Sequence, residues 1–308
     1  MKKQNIICIM GPTASGKSAL AMKLAEFFSG EIISVDSAMV YRGLNIGSAK
    51  PTKNELEKIP HHLIDIRDPA ERYSCANFRE EALNAIELIF SKNKMPFLVG
   101  GTMLYFKALF KGLSNMPSAN STIREKLSKD AKELGLTALH DRLKEIDPIA
   151  AKKIHPHDPQ RIQRALEVYE LIGEPISTLH AEKNKELFPY YPVYIAIAPQ
   201  DRSILHERIA LRFHQMLEAG FVEEVEGLYQ RGDLTKELPA IRAVGYRQVW
   251  EYLEGNLSYD EMVERGIIAT RQLAKRQLTW LRHWPDIHWF DSESPELIDI
   301  VRDFLNNM

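Results

Sequence analysis

Gly11-Pro12-Thr13-Ala14-Ser15-Gly16-Lys17-Ser18 sets two glycines four residues apart and follows the second at once with Lys-Ser. This spacing builds a cradle for two linked phosphates, and both flanks that such a loop needs are present. Ahead of it, Ile6-Ile7-Cys8-Ile9-Met10 reads as a buried strand. Behind it, Ala19-Leu20-Ala21-Met22-Lys23-Leu24-Ala25 is rich in helix formers. Gly11 and Gly16 allow close approach and dihedrals that a side chain would block. The loop amides and the helix N-terminus point at an anion. Lys17 offers a cation to the terminal phosphates, and the Ser18 hydroxyl offers an oxygen ligand to magnesium. Residues 11–18 are therefore expected to bind a diphosphate or a nucleotide, with Mg2+ as cofactor.

Three more apolar runs lie downstream. Glu31-Ile32-Ile33-Ser34-Val35 ends at Asp36, His62-Leu63-Ile64-Asp65 precedes a turn, and Pro96-Phe97-Leu98-Val99 ends at Gly100-Gly101-Thr102. Helical patterns at 54–58, behind a Thr52/Glu55 capping box, and at 77–91 separate them. This rhythm predicts an α/β fold, a P-loop-type doubly wound parallel sheet. Ligands of such sheets gather at the carboxyl ends of the strands, so Asp36 and Thr102 are expected on the rim that carries the phosphate loop.

The pattern then turns helical. Thr122-x-x-Glu125 resembles a capping box, and Asp158-Pro159 opens a helix that runs to Gly173. Residues 119–190 are read as an inserted all-helical domain, with linkers at 115–121 and 186–192. Residues 1–118 and 191–308 form the core. Within the latter, 193–198 resumes strand character and helices are expected near 201–218, 221–230, 244–254 and 258–283. Residues 287–290 are expected to close the sheet.

Composition narrows the class. The 308 residues are 44% hydrophobic and 27% charged, with net charge −2, so global charge points to no particular partner. No apolar run approaches membrane-spanning length. The start, Met1-Lys2-Lys3-Gln4-Asn5, leads into a run too short for a signal peptide. Cys8 and Cys75 match no zinc spacing, and a reducing cytoplasm fits them. The pair His61 and His62, with His155 and His157, likewise lack metal spacing and read as structural or surface residues. No surplus apolar stripe is evident, which favours a monomer.

Local charge says more. Residues 265–282 hold Arg265, Arg271, Lys275, Arg276 and Arg282 and no acid. Helical spacing puts Arg271, Lys275 and Arg282 on one face, and Leu273, Trp280 and Trp284 on the other. A solvated amphipathic face also fits, but it would carry glutamates for i,i+4 pairing. Arg242-Ala243-Val244-Gly245-Tyr246-Arg247 again has no acid, and Gln160-Arg161-Ile162-Gln163-Arg164 sets polar donors on a first helical turn. Arg and Gln reach phosphates and base edges, and Tyr stacks on unpaired bases. Together these stretches look like the footprint of a polyanion.

The phosphate loop, Asp36-Ser37-Ala38-Met39-Val40-Tyr41, Gly47-Ser48-Ala49-Lys50-Pro51, His61-His62-Leu63-Ile64-Asp65 and Val99-Gly100-Gly101-Thr102-Met103-Leu104-Tyr105 resemble the tRNA dimethylallyltransferases, also called tRNA isopentenyltransferases. So do residues 242–247 and Lys275-Arg276-Gln277-Leu278-Thr279-Trp280-Leu281-Arg282. The likeness spans almost the whole chain in order and is to the bacterial form. It implies transfer of a dimethylallyl group from dimethylallyl diphosphate to the exocyclic amine of the adenosine 3′ to the anticodon of tRNA. The loop would then hold the donor's diphosphate. Arg212 resembles a further diphosphate-binding position, though a solvent-facing helix arginine also fits. Asp36 would be the general base and Thr102 a hydrogen-bond partner near the amine; a helix cap or magnesium ligand also fits Asp36, and a turn residue also fits Thr102. Asp36, Ser37, Ala38, Met39 and Thr102, with residues 242–247 and 275–282, would contact tRNA. Arg124 and residues 160–164 would grip the anticodon arm. The target base must leave its stack, which implies a channel entered by the donor at one end and the adenosine at the other. No membrane and no obligate protein partner is implied.

Two other classes share the loop. A small-molecule or nucleotide kinase usually adds an acidic magnesium ligand after an apolar strand, where this chain has Gly100-Gly101-Thr102. A nucleotide-switched binding module such as a GTPase needs an acid that Asn93-Lys94-Met95-Pro96 lacks.

Overall fold

The computed structural model describes residues 4–114, 116–181 and 188–308. They divide into two compact units, Met1–Phe110 with Phe188–Met308, and Lys111–Leu187. Among the described residues no helix is long and apolar enough to cross a membrane.

The first unit is built on six parallel strands, counted among the described residues: β1 (Asn5–Met10), β2 (Gly30–Val35), β3 (His61–His62), β4 (Met95–Gly100), β5 (Tyr191–Ala198) and β6 (Ile287–Asp291), in the order β3-β2-β4-β1-β5-β6. Side chains alternate between faces along each strand, and both faces are buried, as a parallel sheet demands. Ile6, Cys8, Met10, Ile33, Val35 and Leu98 enter one core. Ile7, Ile9, Ile32, Phe97, Val99 and Ile195 enter the other. The helices of this unit are α1 (Lys17–Phe27), α2 (Lys53–Lys58), α3 (Cys75–Ser91) and α4 (Met103–Lys111), the last residue of which is counted with the second unit. The chain returns to it as α9 (Arg202–Glu218), α10 (Phe221–Tyr229), α11 (Tyr246–Leu253), α12 (Tyr259–Arg282) and α13 (Leu297–Asn306). From β1 the chain moves toward β2, and from β4 it moves toward β5. The direction of winding thus reverses between two neighbouring strands, where such sheets open a crevice at their carboxyl ends.

The amino end of β2 carries a buried charge cluster. Glu31 is buried, yet its carboxylate accepts from Lys94 (2.9 Å), His62 (2.7 Å) and Lys92 (3.1 Å). Burial pushes its pKa up, and these three partners pull it down to about 2.

The second unit holds α5 (Ser121–Ile146), α6 (Pro148–Lys153), α7 (Pro159–Ile172) and α8 (Ile176–Ala181) around Leu127, Leu143, Ile162, Leu166 and Val168. Sequence placed 119–190 in this unit; the compact unit runs from Lys111 to Leu187. Of the two linkers read from sequence, residues 115, 186 and 187 lie outside the described residues, Ser121 opens α5, and residues 191–192 already belong to β5.

Some local expectations need correction. Of the run at 62–65 only His62 pairs, together with His61 before it, because Leu63 and Asp65 turn into the left-handed region (φ 63 and 56), where Lys50 Nζ holds Asp65 Oδ1 at 2.6 Å. α5 is capped by Asn120, whose Oδ1 accepts from Ile123 N at 3.1 Å, and not by Thr122. Gly135, at φ 85 and ψ 158, interrupts α5 with a kink. The caps at Thr52, Asp158 and Ser258 are as the sequence indicates.

Candidate active site

The loop between β1 and α1 folds tightly on itself. Ser15 N donates to Pro12 O at 3.3 Å, and Gly16 takes φ 83 as the N-cap of α1. Gly11 has no room for a side chain, since a Cβ there would lie 2.6 Å from Ser15 Oγ and 2.7 Å from Ile197 O. No side chain caps α1, so its first-turn amides keep their capacity for an anion. Lys17 Nζ donates to Pro12 O at 3.2 Å. Burial lowers the Lys17 pKa to about 8; Asp36 opposes this and Arg212 adds to it.

Asp36 and Thr102 stand at the carboxyl ends of β2 and β4. Asp36 Oδ1 accepts from Ala38 N (2.8 Å) and Met39 N (3.3 Å), which ties one carboxylate oxygen to its own turn. Thr102 Oγ1 accepts from Ser37 N at 3.2 Å, and Thr102 N donates to Val35 O at 3.2 Å. The two strand ends approach so closely that a Cβ on Gly100 would lie 2.0 Å from Val35 O. Arg212 comes from α9. Burial draws its guanidinium below its ordinary pKa, against the field of Asp36. It has no hydrogen-bond partner among the described residues.

Lys17, Ser18, Asp36, Thr102 and Arg212 line one cavity of about 640 Å3. Met39, Tyr41, Tyr73 and Leu104 give it an apolar wall. A cation pair, an acid and an apolar wall in one cavity suit a ligand with an anionic head and a hydrocarbon part.

Gln277 of α12 locks this frame. Its Oε1 accepts from Thr13 N at 2.9 Å and its Nε2 donates to Gly101 O at 3.0 Å. Sequence grouped Gln277 with RNA-contacting residues; it is buried, and both ends are spent on the phosphate loop and the Gly100-Gly101 turn. Gln277→Leu roughly keeps the volume and leaves a part-buried N–H of Thr13 and a buried C=O of Gly101 unpaired. The expected result is a stability loss of about 2 kcal/mol, read in a urea melt, with weaker donor capture. Equal melts and equal donor KM would remove the locking role.

Other expected RNA contacts are also reassigned. Tyr246 is fully buried, and its hydroxyl donates to Glu224 Oε1 at 2.6 Å, so its ring cannot stack on a base. Glu224 also accepts from Asn45 N, Ile46 N and Gly47 N, and so fastens the 45–47 loop; no local pattern announces this role. Leu278 and Leu281 are core residues. Trp280, set by helical spacing on the face opposite Arg271, Lys275 and Arg282, is 39% exposed and lines the cavity with Arg276, while Lys107 Nζ sits 5.7 Å from its ring centre. Ser37, Ala38, Met39, Arg242, Ala243, Val244 and Gly245 line the same cavity. Arg247 pairs with Glu251 at 2.9 Å, and Thr279 Oγ1 donates back to Lys275 O. Lys275 and Arg282 are exposed.

In the second unit the expected grip is largely internal. Glu167 is fully buried and accepts from Arg124 Nε (2.9 Å), Arg164 Nη1 (2.8 Å) and Asn120 N (2.8 Å). Arg164 also donates to Pro117 O, and Gln163 Nε2 to Arg124 O and Ser128 Oγ. Ile162 is core. Arg161 pairs with Asp158, and Gln160 and Arg161 are exposed.

Comparison with known proteins adds an independent line. A model of the IPP transferase family matches residues 39–284, a stretch that excludes the phosphate loop. The full-length tRNA isopentenylpyrophosphate transferase of Bacillus halodurans is 37% identical, with a TM-score of 0.73 over 99% of this chain and 96% of that one. The tRNA delta(2)-isopentenylpyrophosphate transferase of Staphylococcus epidermidis is 34% identical, with a TM-score of 0.70 over 99% and 100%. A eukaryotic dimethylallyltransferase acting on tRNA is 30% identical, with a TM-score of 0.78 over 99% of this chain and 80% of that one. The likeness thus runs through the rim residues and the helices beyond them as well as through the loop, and the chain belongs to the IPP transferase family.

Proposed function

We propose that this enzyme transfers a dimethylallyl group from dimethylallyl diphosphate to the exocyclic N6 amine of the adenosine 3′ to the anticodon in tRNA. The observation that carries the reading is the convergence of Lys17, Arg212, Asp36 and Thr102 on one cavity with an apolar wall. The loop amides, Lys17 and Arg212 hold the diphosphate, and the apolar wall receives the hydrocarbon. The allylic C–O bond breaks as charge builds on the departing diphosphate, and these cations stabilise that charge. The amine nitrogen forms the new bond to carbon. Its proton passes to the Asp36 carboxylate, with Thr102 holding the amine in place.

Ser18 fits magnesium by its donor chemistry: it offers a hard hydroxyl oxygen, exposed at the start of α1 and without a hydrogen bond to a described residue. Among the described residues no group of three or more His, Cys, Asp and Glu forms a metal cluster, so the diphosphate oxygens and Ser18 would carry the ion. When bound, magnesium neutralises charge on the leaving group.

The relatives named above are all transferases, and β4 leads into Gly100-Gly101-Thr102 where a kinase would offer a second acid. The deciding experiment incubates the protein with dimethylallyl diphosphate and unmodified tRNA, then weighs the tRNA nucleosides. One dimethylallyl unit on a single adenosine is expected. Phosphoryl transfer from ATP without prenyl incorporation would replace the reading by that of a kinase.

A further inference from the structure

We propose that the groove between α9 and α12 is a second anion site, one that holds the phosphodiester backbone of the RNA substrate outside the catalytic cavity; the proposal rests on the reading above. The groove has a volume of about 470 Å3 and is lined by Arg202 and His206 of α9 and by Arg271, Lys275 and Arg282 of α12. None of its lining residues is an acid. Most arginines of this protein are already engaged, such as Arg124, Arg164, Arg231 and Arg247. By contrast, the side chains of Arg202, Lys275 and Arg282 make no ion pair or hydrogen bond with a described residue. Arg271 donates weakly to His206 O at 3.4 Å, and its Nε is buried without a partner. A buried guanidinium N–H left unpaired beside exposed cations marks a place that an acceptor would complete.

Geometry selects a chain of phosphates over a single small anion. From Arg271 to Arg282 the cations follow α12 for about 16 Å at the rise of an α-helix. One phosphate cannot span that row, whereas consecutive backbone phosphates can. Leu205 and Leu278, both buried, line the groove beside the cations, and no aromatic ring of Phe, Tyr or Trp is among its lining residues to stack on a base. The groove and the cavity also lie on opposite faces of one helix, since Arg276, Gln277 and Trp280 line the cavity. An α-helix is about 10–12 Å across, so only the thickness of α12 separates its cavity face from its groove face. The α9 side of this site, Arg202 and His206, is a part that α12 charge alone does not reveal.

Arg202→Glu tests it. Arg202 is exposed in the first turn of α9, where an acid is favoured by the helix dipole, so the fold is retained. The expected result is tRNA binding weakened about tenfold at moderate salt, with the slope of log affinity against log salt shallower by about one. The single-turnover rate at saturating tRNA and the KM for dimethylallyl diphosphate should stay within about twofold, and Arg202→Lys should recover most of the affinity. Unchanged tRNA affinity and salt slope in Arg202→Glu would overturn the groove while leaving the transferase reading intact. If wild type adds no mass to tRNA, but Arg202→Glu still lowers RNA affinity, the transferase reading fails and the groove stands.

Discussion

Lys17→Met will lower kcat/KM for the prenyl donor by about 10²–10³-fold at neutral pH, with little change in stability. Methionine keeps the stem and removes the ammonium, so only a 3.2 Å hydrogen bond to Pro12 O is lost from the folded chain. The lost charge is the one nearest the expected leaving group, held in a cavity where burial has already drawn its pKa down to about 8. That depression has two consequences of known sign. In the free enzyme the ammonium is present below about pH 8, so donor capture by wild type should decline as pH rises beyond that value, approaching tenfold per unit. A bound diphosphate favours the ammonium, so the decline in kcat should fall at higher pH than the decline in kcat/KM. For stability, the unfolded chain holds the proton up to its ordinary value of 10.5, so between pH 8 and 10.5 it binds more protons than the native state. The Lys17 contribution to stability therefore rises with pH across that window, and Lys17→Met should remove the rise. A flat kcat/KM profile in wild type, or a donor KM in Lys17→Met equal to that of wild type, would detach Lys17 from the leaving group.

The parts of this site that could be read from sequence are those whose signal is local. A strand, a glycine-spaced loop and a helix announce themselves within twenty residues. The rim positions of Asp36 and Thr102 follow because each ends an apolar strand of a parallel sheet. Tertiary pairing hid the rest. Gln277 lies 264 residues from Thr13, and nothing near either predicts that one amide joins the phosphate loop to the Gly101 turn. Glu224 gathers three amides of the 45–47 loop and the Tyr246 hydroxyl, which withdraws an aromatic ring that the sequence offered to RNA. Arg124 and Arg164 read as free cations until Glu167, buried between them, is seen to hold both. The buried stripe of α12 runs through Ala274, Gln277, Leu278 and Leu281, with a polar residue inside it that apolar periodicity does not count. The segment at 62–65 has the composition of a strand, but its two left-handed residues allow pairing over His61–His62 only. α13 was not anticipated at all; its charged residues obscure an apolar face that packs Val301 into the sheet.

Asp36→Asn and Asp36→Ala should part the two duties that one carboxylate performs. One oxygen accepts from Ala38 N and Met39 N, a turn-capping bond that an asparagine carbonyl can replace. Asparagine cannot take a proton from an amine. Asp36→Asn should therefore fold with wild-type stability, bind tRNA and donor with nearly wild-type affinity, and lose about 10²–10⁴-fold in single-turnover rate. Asp36→Ala should show the same loss of rate plus about 1 kcal/mol of instability from the uncapped turn. The field of Asp36 also supports Lys17 and Arg212 as cations, so in both variants the pH limb of donor capture should move below that of wild type. This shift separates a carboxylate inside the site from a turn residue that lies beside it. A single-turnover rate in Asp36→Asn equal to wild type, with the alanine variant merely less stable, would leave Asp36 a cap and move the proton acceptor elsewhere.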